Sequence, residues 1–152
     1  LEIDSNPIAL TNSKKNLKLN FPNQTFSLEE FRQLKADGFD ALAGLAQDKK
    51  KFDIVVLDPP AFARRIKQAK NALNAYLKLV EAGARVTKKG GTLFAASCSV
   101  HVQAKEFYKA VSLGIQSAGR EYKEIRRTGH AKDHPVVFSQ GEYLKGAFCR
   151  IT

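Results

Sequence analysis

The 152-residue sequence contains no methionine, not even at position 1, and its first residues, Leu1-Glu2-Ile3-Asp4, already read as the end of a strand. Such a chain is expected to be a segment or excised domain of a longer protein. No apolar run approaches the roughly 18–20 residues of a membrane span, and no charged-then-apolar leader precedes a small-residue cleavage site. The expected setting is cytoplasmic, with no membrane partner. Cysteine is scarce: Cys98 and Cys149 stand 51 residues apart with no CxxC pair. That excludes a zinc ribbon, gives little to a disulfide framework, and points to two reduced thiols and no bound metal. Acidic residues are in deficit, 15 against 25 Lys and Arg, for a net charge of +10. A basic surplus favours polyanions through counterion release, so RNA or DNA is the natural partner, although surface lysines also serve solubility alone. No G-x-G-x-x-G fingerprint occurs, which disfavours a nicotinamide dehydrogenase.

What is present suits one globular domain, because 43% hydrophobic content can build a single core at this length. Ser5-Asn6-Pro7 offers a cap followed by proline in the first turn, predicting a helix over 7–18. Residues 51–58 (KFDIVVLD) hold a β-branched run ending at an acid and two prolines, as a buried parallel strand does. Ala69, Ala72, Leu73, Tyr76, Leu79, Val80 and Gly83 recur at helical spacing, predicting an amphipathic helix over 68–87 that Lys88-Lys89-Gly90-Gly91 stops. A strand over 92–96 and a helix from Ala104 to Ala118 follow. Two final strands, 120–127 and 142–151, flank a polar loop with Asp133-His134-Pro135. Residues 27–30 spell a capping box, while 31–36 stand where a further strand is needed, and the strand is preferred. Alternation of this kind predicts an open α/β sheet with helices on both faces and ligands beyond the carboxyl ends of its strands.

Asp4, Asp37 and Asp58 each follow a predicted strand, where a carboxylate can accept from ribose hydroxyls or an amino group. Aspartate is also common at strand ends and helix caps for purely local reasons. Asp58-Pro59-Pro60-Ala61-Phe62 is more distinctive: two prolines hold a carboxylate and a peptide oxygen rigidly beside an aromatic, which suits a flat base. Ser97-Cys98-Ser99 sits between a strand and the next helix, where peptide dipoles favour a thiolate, although no Ser or Asp cap stands near Val102. A lone cysteine is more often a small buried hydrophobe, the reading given to Cys149 in its apolar strand.

The sequence DPPAF, a basic helix with Tyr76, GGTLFAASCS, DHPV and EYLKG, in that order, resembles the bacterial large-subunit ribosomal-RNA cytosine-5 methyltransferases of the type I family. The likeness covers essentially the whole chain. It implies a Rossmann-like, S-adenosylmethionine-dependent methyltransferase domain with a mostly parallel sheet and an antiparallel last strand. It also implies that the first strand and glycine-rich donor loop, and the family's RNA-binding PUA and central domains, lie outside these residues. Asp4 matches the acid that holds the donor's ribose, with Ser5 beside it, and Asn16 and Asn20 match asparagines of the following helix. Asp37, with Gly38, corresponds to the acid near the donor's adenine. Asp58 and Pro59 match the motif beside donor and base, Pro60, Phe62 and Ser97 are expected to touch the substrate, and Cys98 matches the attacking cysteine. The implied product is 5-methylcytosine in 23S ribosomal RNA, through a covalent cysteine adduct. Val80 departs from an asparagine the family often has four residues after the tyrosine. Two rival readings remain: an amino-group methyltransferase that uses the DPP loop without a thiol, and a non-catalytic RNA-binding remnant.

Overall fold

A computed structural model describes residues 1–25, 31–138, 141 and 143–152; the capping box of residues 27–30 lies outside them. The chain divides into two compact units, Leu1–Gly44 and Leu45–Thr152.

In the first unit, β1 (Glu2–Asp4) pairs in parallel with β2 (Gln33–Lys35), in a register that sets Asp4 opposite Lys35. Between them runs α1 (Pro7–Asn20), two residues longer at its end than the spacing predicted. Its start is built as the sequence implies: Asn6 Oδ1 accepts from Ile8 N at 2.9 Å, and Pro7, which has no N–H to satisfy, opens the first turn. Gln33 Nε2 donates to Glu2 Oε2 (2.8 Å) and Leu10 O (2.7 Å), fastening β2 to both β1 and α1. α2 (Gly38–Gln47) was not anticipated, although its signal is local: Asp37 Oδ1 accepts from Phe39 N (2.8 Å) and Asp40 N (3.3 Å), an N-cap, and Ala41 and Leu42 turn inward.

The second unit is a four-stranded sheet in the order β3-β4-β6-β5, comprising β3 (Phe52–Leu57), β4 (Thr87–Ser97), β5 (Tyr122–Thr128) and β6 (Lys145–Ile151). β3 and β4 are parallel, and β6 is antiparallel to both β4 and β5, so β6 alone runs the other way. Two corrections concern strands. Val55 and Leu57 of β3 are buried, but Ile54 and Val56 are 69% and 62% exposed, so this strand is covered on one face rather than two. Lys88-Lys89-Gly90-Gly91 does not separate helix from strand: α3 (Ala69–Val86) ends first, and the four residues bulge out within β4, whose register jumps from Phe52↔Thr87 to Ile54↔Thr92. Gly90 takes φ +78°, and a Cβ on Gly91 would stand 2.9 Å from Asp53 O, so the bulge needs both glycines.

α3 and α4 (Ala104–Ser117) pack on one face of this sheet, over Leu93, Cys149 and Ile151, each no more than 1% exposed. Two close approaches set the layers. A Cβ on Gly83 of α3 would meet Leu57 Cδ1 at 2.8 Å, and one on Gly114 of α4 would meet Leu77 O at 2.6 Å. Among the described residues no helix is long and apolar enough to cross a membrane.

Candidate functional site

The carboxyl ends of β3 and β4 are neighbours, because Leu57 lies opposite Ala95 in a parallel pair. The chain leaves β3 into Asp58-Pro59-Pro60 and leaves β4 into Cys98-Ser99, so the two segments singled out in the sequence emerge side by side. A buried hydrogen-bond relay joins them. Ala63 N, beyond the two prolines, donates to Ser99 Oγ at 3.4 Å, Ser99 Oγ lies 2.9 Å from Tyr76 Oη, and Ser97 Oγ donates to Tyr76 Oη at 2.9 Å. Ser99 N in turn donates to Ser97 Oγ at 3.2 Å. Tyr76, Ser97 and Ser99 are each at most 1% exposed, where an unmet hydroxyl is costly, so the relay fixes both loops against α3.

Cys98 is half-buried between two inward-turned serines. Asp58 is exposed, and its carboxylate makes no hydrogen bond or ion pair among the described residues. Pro60 is exposed and Pro59 half-buried. Phe62 packs on Tyr76, ring centroids 4.8 Å apart. Ser97, expected to touch substrate, points inward and supports the cysteine loop from beneath. Val80 is 1% exposed and lies where α3 meets Gly114, so it has a packing role at the position of the family's asparagine.

Lys145, in the Tyr-Leu-Lys-Gly run, carried no assigned role in the sequence, yet it is the most unusual residue of this region. It opens β6 opposite Ser97, is only 6% exposed, and donates through Nζ to Ser99 O (2.7 Å) and Val102 O (2.6 Å). Among the described residues no carboxylate pairs with it. Burial pushes its pKa below that of an ordinary lysine, and negative charge on Cys98 acts in the opposite sense. A buried cation is thus placed beneath the loop that carries the thiol. Cys149 is the contrasting thiol: 1% exposed on β6, it has a pKa raised to about 11, chiefly by burial.

In the first unit, the paired strands β1 and β2 bring Asp4 and Asp37 to one sheet end, and Ala36 N donates to Asp4 O at 3.3 Å. Each carboxylate spends one oxygen locally. Asp4 Oδ1 accepts from Asn6 N at 2.7 Å, and Asp37 Oδ1 caps α2. Among the described residues the other oxygen of each has no hydrogen-bond partner. Ser5 is exposed beside Asp4, and Gly38 leaves open space where a Cβ would stand. Asn20 Nδ2 returns to Asn16 O at 2.8 Å within α1.

No protein-family model matches the chain. Individual proteins do. It is 36% identical over 149 residues, 98% of its length, to a ribosomal RNA large subunit methyltransferase of Deinococcus radiodurans, and 34% identical over 151 residues to ribosomal RNA large subunit methyltransferase I of Shewanella amazonensis. The corresponding enzyme of Alteromonas mediterranea is 34% identical over 152 residues. The chain is homologous to these large-subunit methyltransferases. It spans 36–37% of the length of these three relatives. Solved structures agree on the fold. SMU.776, described as a methyltransferase complexed with SAH, superposes with a TM-score of 0.78 at 18% identity, covering 97% of this chain and 38% of that one. A methyltransferase homolog from Pyrococcus horikoshii gives 0.60 at 15% identity, over 97% and 52%. The methyltransferase homologue therefore has the Rossmann-like architecture, with its odd-direction strand at β6. Within it, Tyr76 and Lys145 are the two supports the sequence did not single out as such. In the sequence Tyr76 stands on the apolar helix face and in the family motif with nothing to mark its hydroxyl as a hub, and Lys145 is marked only as a lysine heading an otherwise apolar strand.

Proposed function

We propose that the protein is an S-adenosylmethionine-dependent RNA methyltransferase that forms 5-methylcytosine in 23S ribosomal RNA, with Cys98 as the nucleophile. The observation that carries this reading is the adjacency of the Cys98 and Asp58-Pro59-Pro60 loops on neighbouring parallel strands, tied by the Ser97–Tyr76–Ser99 relay. The homologues named as ribosomal RNA methyltransferases support the substrate.

S-adenosylmethionine, when bound, supplies an electrophilic methyl group. The residues present suit such a ligand: Asp4 and Asp37 each keep one carboxylate oxygen without a partner among the described residues at a strand end, matched to ribose hydroxyls and an amino group. Ser5 and Gly38 flank them, and Pro59 carries the peptide oxygen of the base-side motif.

Carbon 5 of cytosine is a weak nucleophile. The Cys98 thiolate adds to carbon 6, the carbon 5–carbon 6 electron pair moves to carbon 5, and ring nitrogen 3 takes a proton. Asp58, with no competing partner among the described residues, accepts the hydrogen bond from that ring edge and favours the protonated state. Pro60 and Phe62 border the base. Carbon 5 gains the methyl group, its proton leaves to a base, and the carbon–sulfur bond breaks to restore the double bond and the thiolate as ring nitrogen 3 gives back its proton. Lys145 Nζ, bonded to Ser99 O and Val102 O, sits under the loop that carries the thiol.

RNA containing 5-fluorocytidine tests this in the full-length protein, since fluorine blocks loss of the carbon 5 substituent and leaves the adduct in place. A stable protein–RNA band that disappears in Cys98→Ala is expected. Methylation retained by Cys98→Ala would reject the covalent route in favour of amino-group transfer.

A further inference from the structure

Away from the cysteine loop, α4 and the edge strand β5 enclose an open groove of about 500 Å³, lined by Lys105, Tyr108, Lys109 and Ser112 of the helix and by Tyr122 and Arg127 of the strand. Three cations and two aromatic rings meet there. Lys105 and Lys109 lie one turn apart on the same helix face, both exposed, and neither has a hydrogen bond or ion pair among the described residues. Arg127 lies with its guanidinium 4.2 Å from the centre of the Tyr108 ring. Glu124 takes Arg127 Nε at 2.9 Å and Nη2 at 3.0 Å, leaving Nη1 without a partner among the described residues.

A register shift aims Arg127 here. Tyr122 stands opposite Ile151 and Glu124 opposite Cys149; then the pairing slips, so that Arg126 faces Phe148 and Arg127 faces Ala147. Ile151, Cys149 and Ala147 share the helix-covered face of β6. The bulge therefore turns Arg127 onto the side of Tyr122 and Glu124, whereas strict alternation would turn it away. The Arg127 end of the groove lies toward the cysteine end of the sheet, and the Tyr122 end toward the other. Arg127 shares a rung with Ala147 and Ala95, about 10 Å across two strand spacings, and Ala95 is three residues before Cys98.

We infer that this groove holds the phosphodiester backbone of the RNA substrate, with Lys105, Lys109 and Arg127 on phosphates and Tyr108 and Tyr122 presenting faces to sugar or base. A polyanion fits because two lysines stay unneutralised beside a half-occupied arginine. The inference rests on the RNA-methyltransferase reading, but binding can be measured without methyl transfer.

The test is RNA binding by the full-length protein as a function of salt, comparing wild type with Lys105→Gln/Lys109→Gln. A charge-matched control, Lys49→Gln/Lys50→Gln, alters exposed lysines ahead of β3, at the other end of the strand from Asp58. Two lost phosphate contacts on a single strand reduce the slope of log affinity against log salt by about 1.4 and weaken binding roughly tenfold near physiological salt. The control is expected to match wild type, and KM for RNA to rise in the groove variant with kcat kept. Adding Arg127→Gln is expected to lower the slope again. Equal slopes in wild type and groove variant would overturn the inference, even if affinity fell, because only lost ionic contacts change the slope. If wild type binds RNA and methylates it while the groove variant is indistinguishable, the groove fails alone. If wild type binds no RNA, the methyltransferase reading fails with it.

Discussion

Replacing Tyr76 by Phe removes one oxygen from the centre of the relay and leaves the ring in place. Its contacts with Phe62 at 4.8 Å and Phe107 at 5.3 Å survive, so hydrophobic burial is nearly unchanged. What is lost is the acceptor for Ser97 Oγ and the partner of Ser99 Oγ, each previously at 2.9 Å. Ser99 Oγ keeps the Ala63 N–H and Ser97 Oγ still accepts from Ser99 N, but the Ser97 O–H loses its acceptor in a site 1% exposed. An unmet buried hydroxyl costs about 1–3 kcal/mol. Urea unfolding of Tyr76→Phe is expected to show that loss with an unchanged m-value. Tyr76→Ala adds a cavity, for a total loss of about 3–5 kcal/mol or more. The decisive comparison is a double-mutant cycle with Ser97→Ala. With Ser97 already truncated, Tyr76→Phe should cost less than it does alone, with a coupling of at least about 0.5 kcal/mol. Additive losses, or a Tyr76→Phe protein as stable as wild type, would refute the claim that this hydroxyl ties the loops together. Methyl transfer should fall in parallel, since both loops lose their common anchor.

Other outcomes follow from single side chains. Cys149, with its pKa raised from 9.0 to about 11, keeps its thiol neutral in the native state while the unfolded chain ionises. The associated stability is fully present below pH 9 and lost as pH rises toward 11. It amounts to about 2–3 kcal/mol, which Cys149→Ala should abolish in denaturant titrations across that range. Lys145 has the opposite sign: burial makes its native ammonium shed its proton below the ordinary lysine range, so the unfolded chain binds more protons in that window and stability rises with pH. Lys145→Met should flatten this rise, and an unaltered pH profile of stability would count against a buried cation. Peptide mapping after alkylation at neutral pH should find Cys98 modified and Cys149 protected, in keeping with their half-buried and 1% exposed settings.

The strands and long helices were legible because their residues obey one local rule each: Pro7 after Asn6, the three-and-four spacing from Ala69 to Gly83, the β-branched run before Asp58. The errors occurred where local and tertiary demands differ. Lys88-Lys89-Gly90-Gly91 reads as a break from composition alone, yet pairing of its flanks with β3 keeps it inside a strand as a bulge. α2 is hidden in the sequence because Asp37 suits a ligand and a helix cap alike, and the structure gives its Oδ1 to the cap. At the candidate site, Cys98 and Asp58 could be placed on adjacent strand ends from the order of elements. Lys145 could not, since its distance from Cys98 along the chain hides a register that sets it opposite Ser97.

The two carbonyls that hold Lys145 have one further implication. An ammonium has three N–H groups, but a neutral amine still has two, one each for Ser99 O and Val102 O. The loop's shape can therefore survive loss of the proton, while the positive charge beneath it cannot. Scaffold and charge are carried by the same nitrogen, yet only the charge is open to titration, so alkaline solution can discharge the ground beneath the loop without moving the loop.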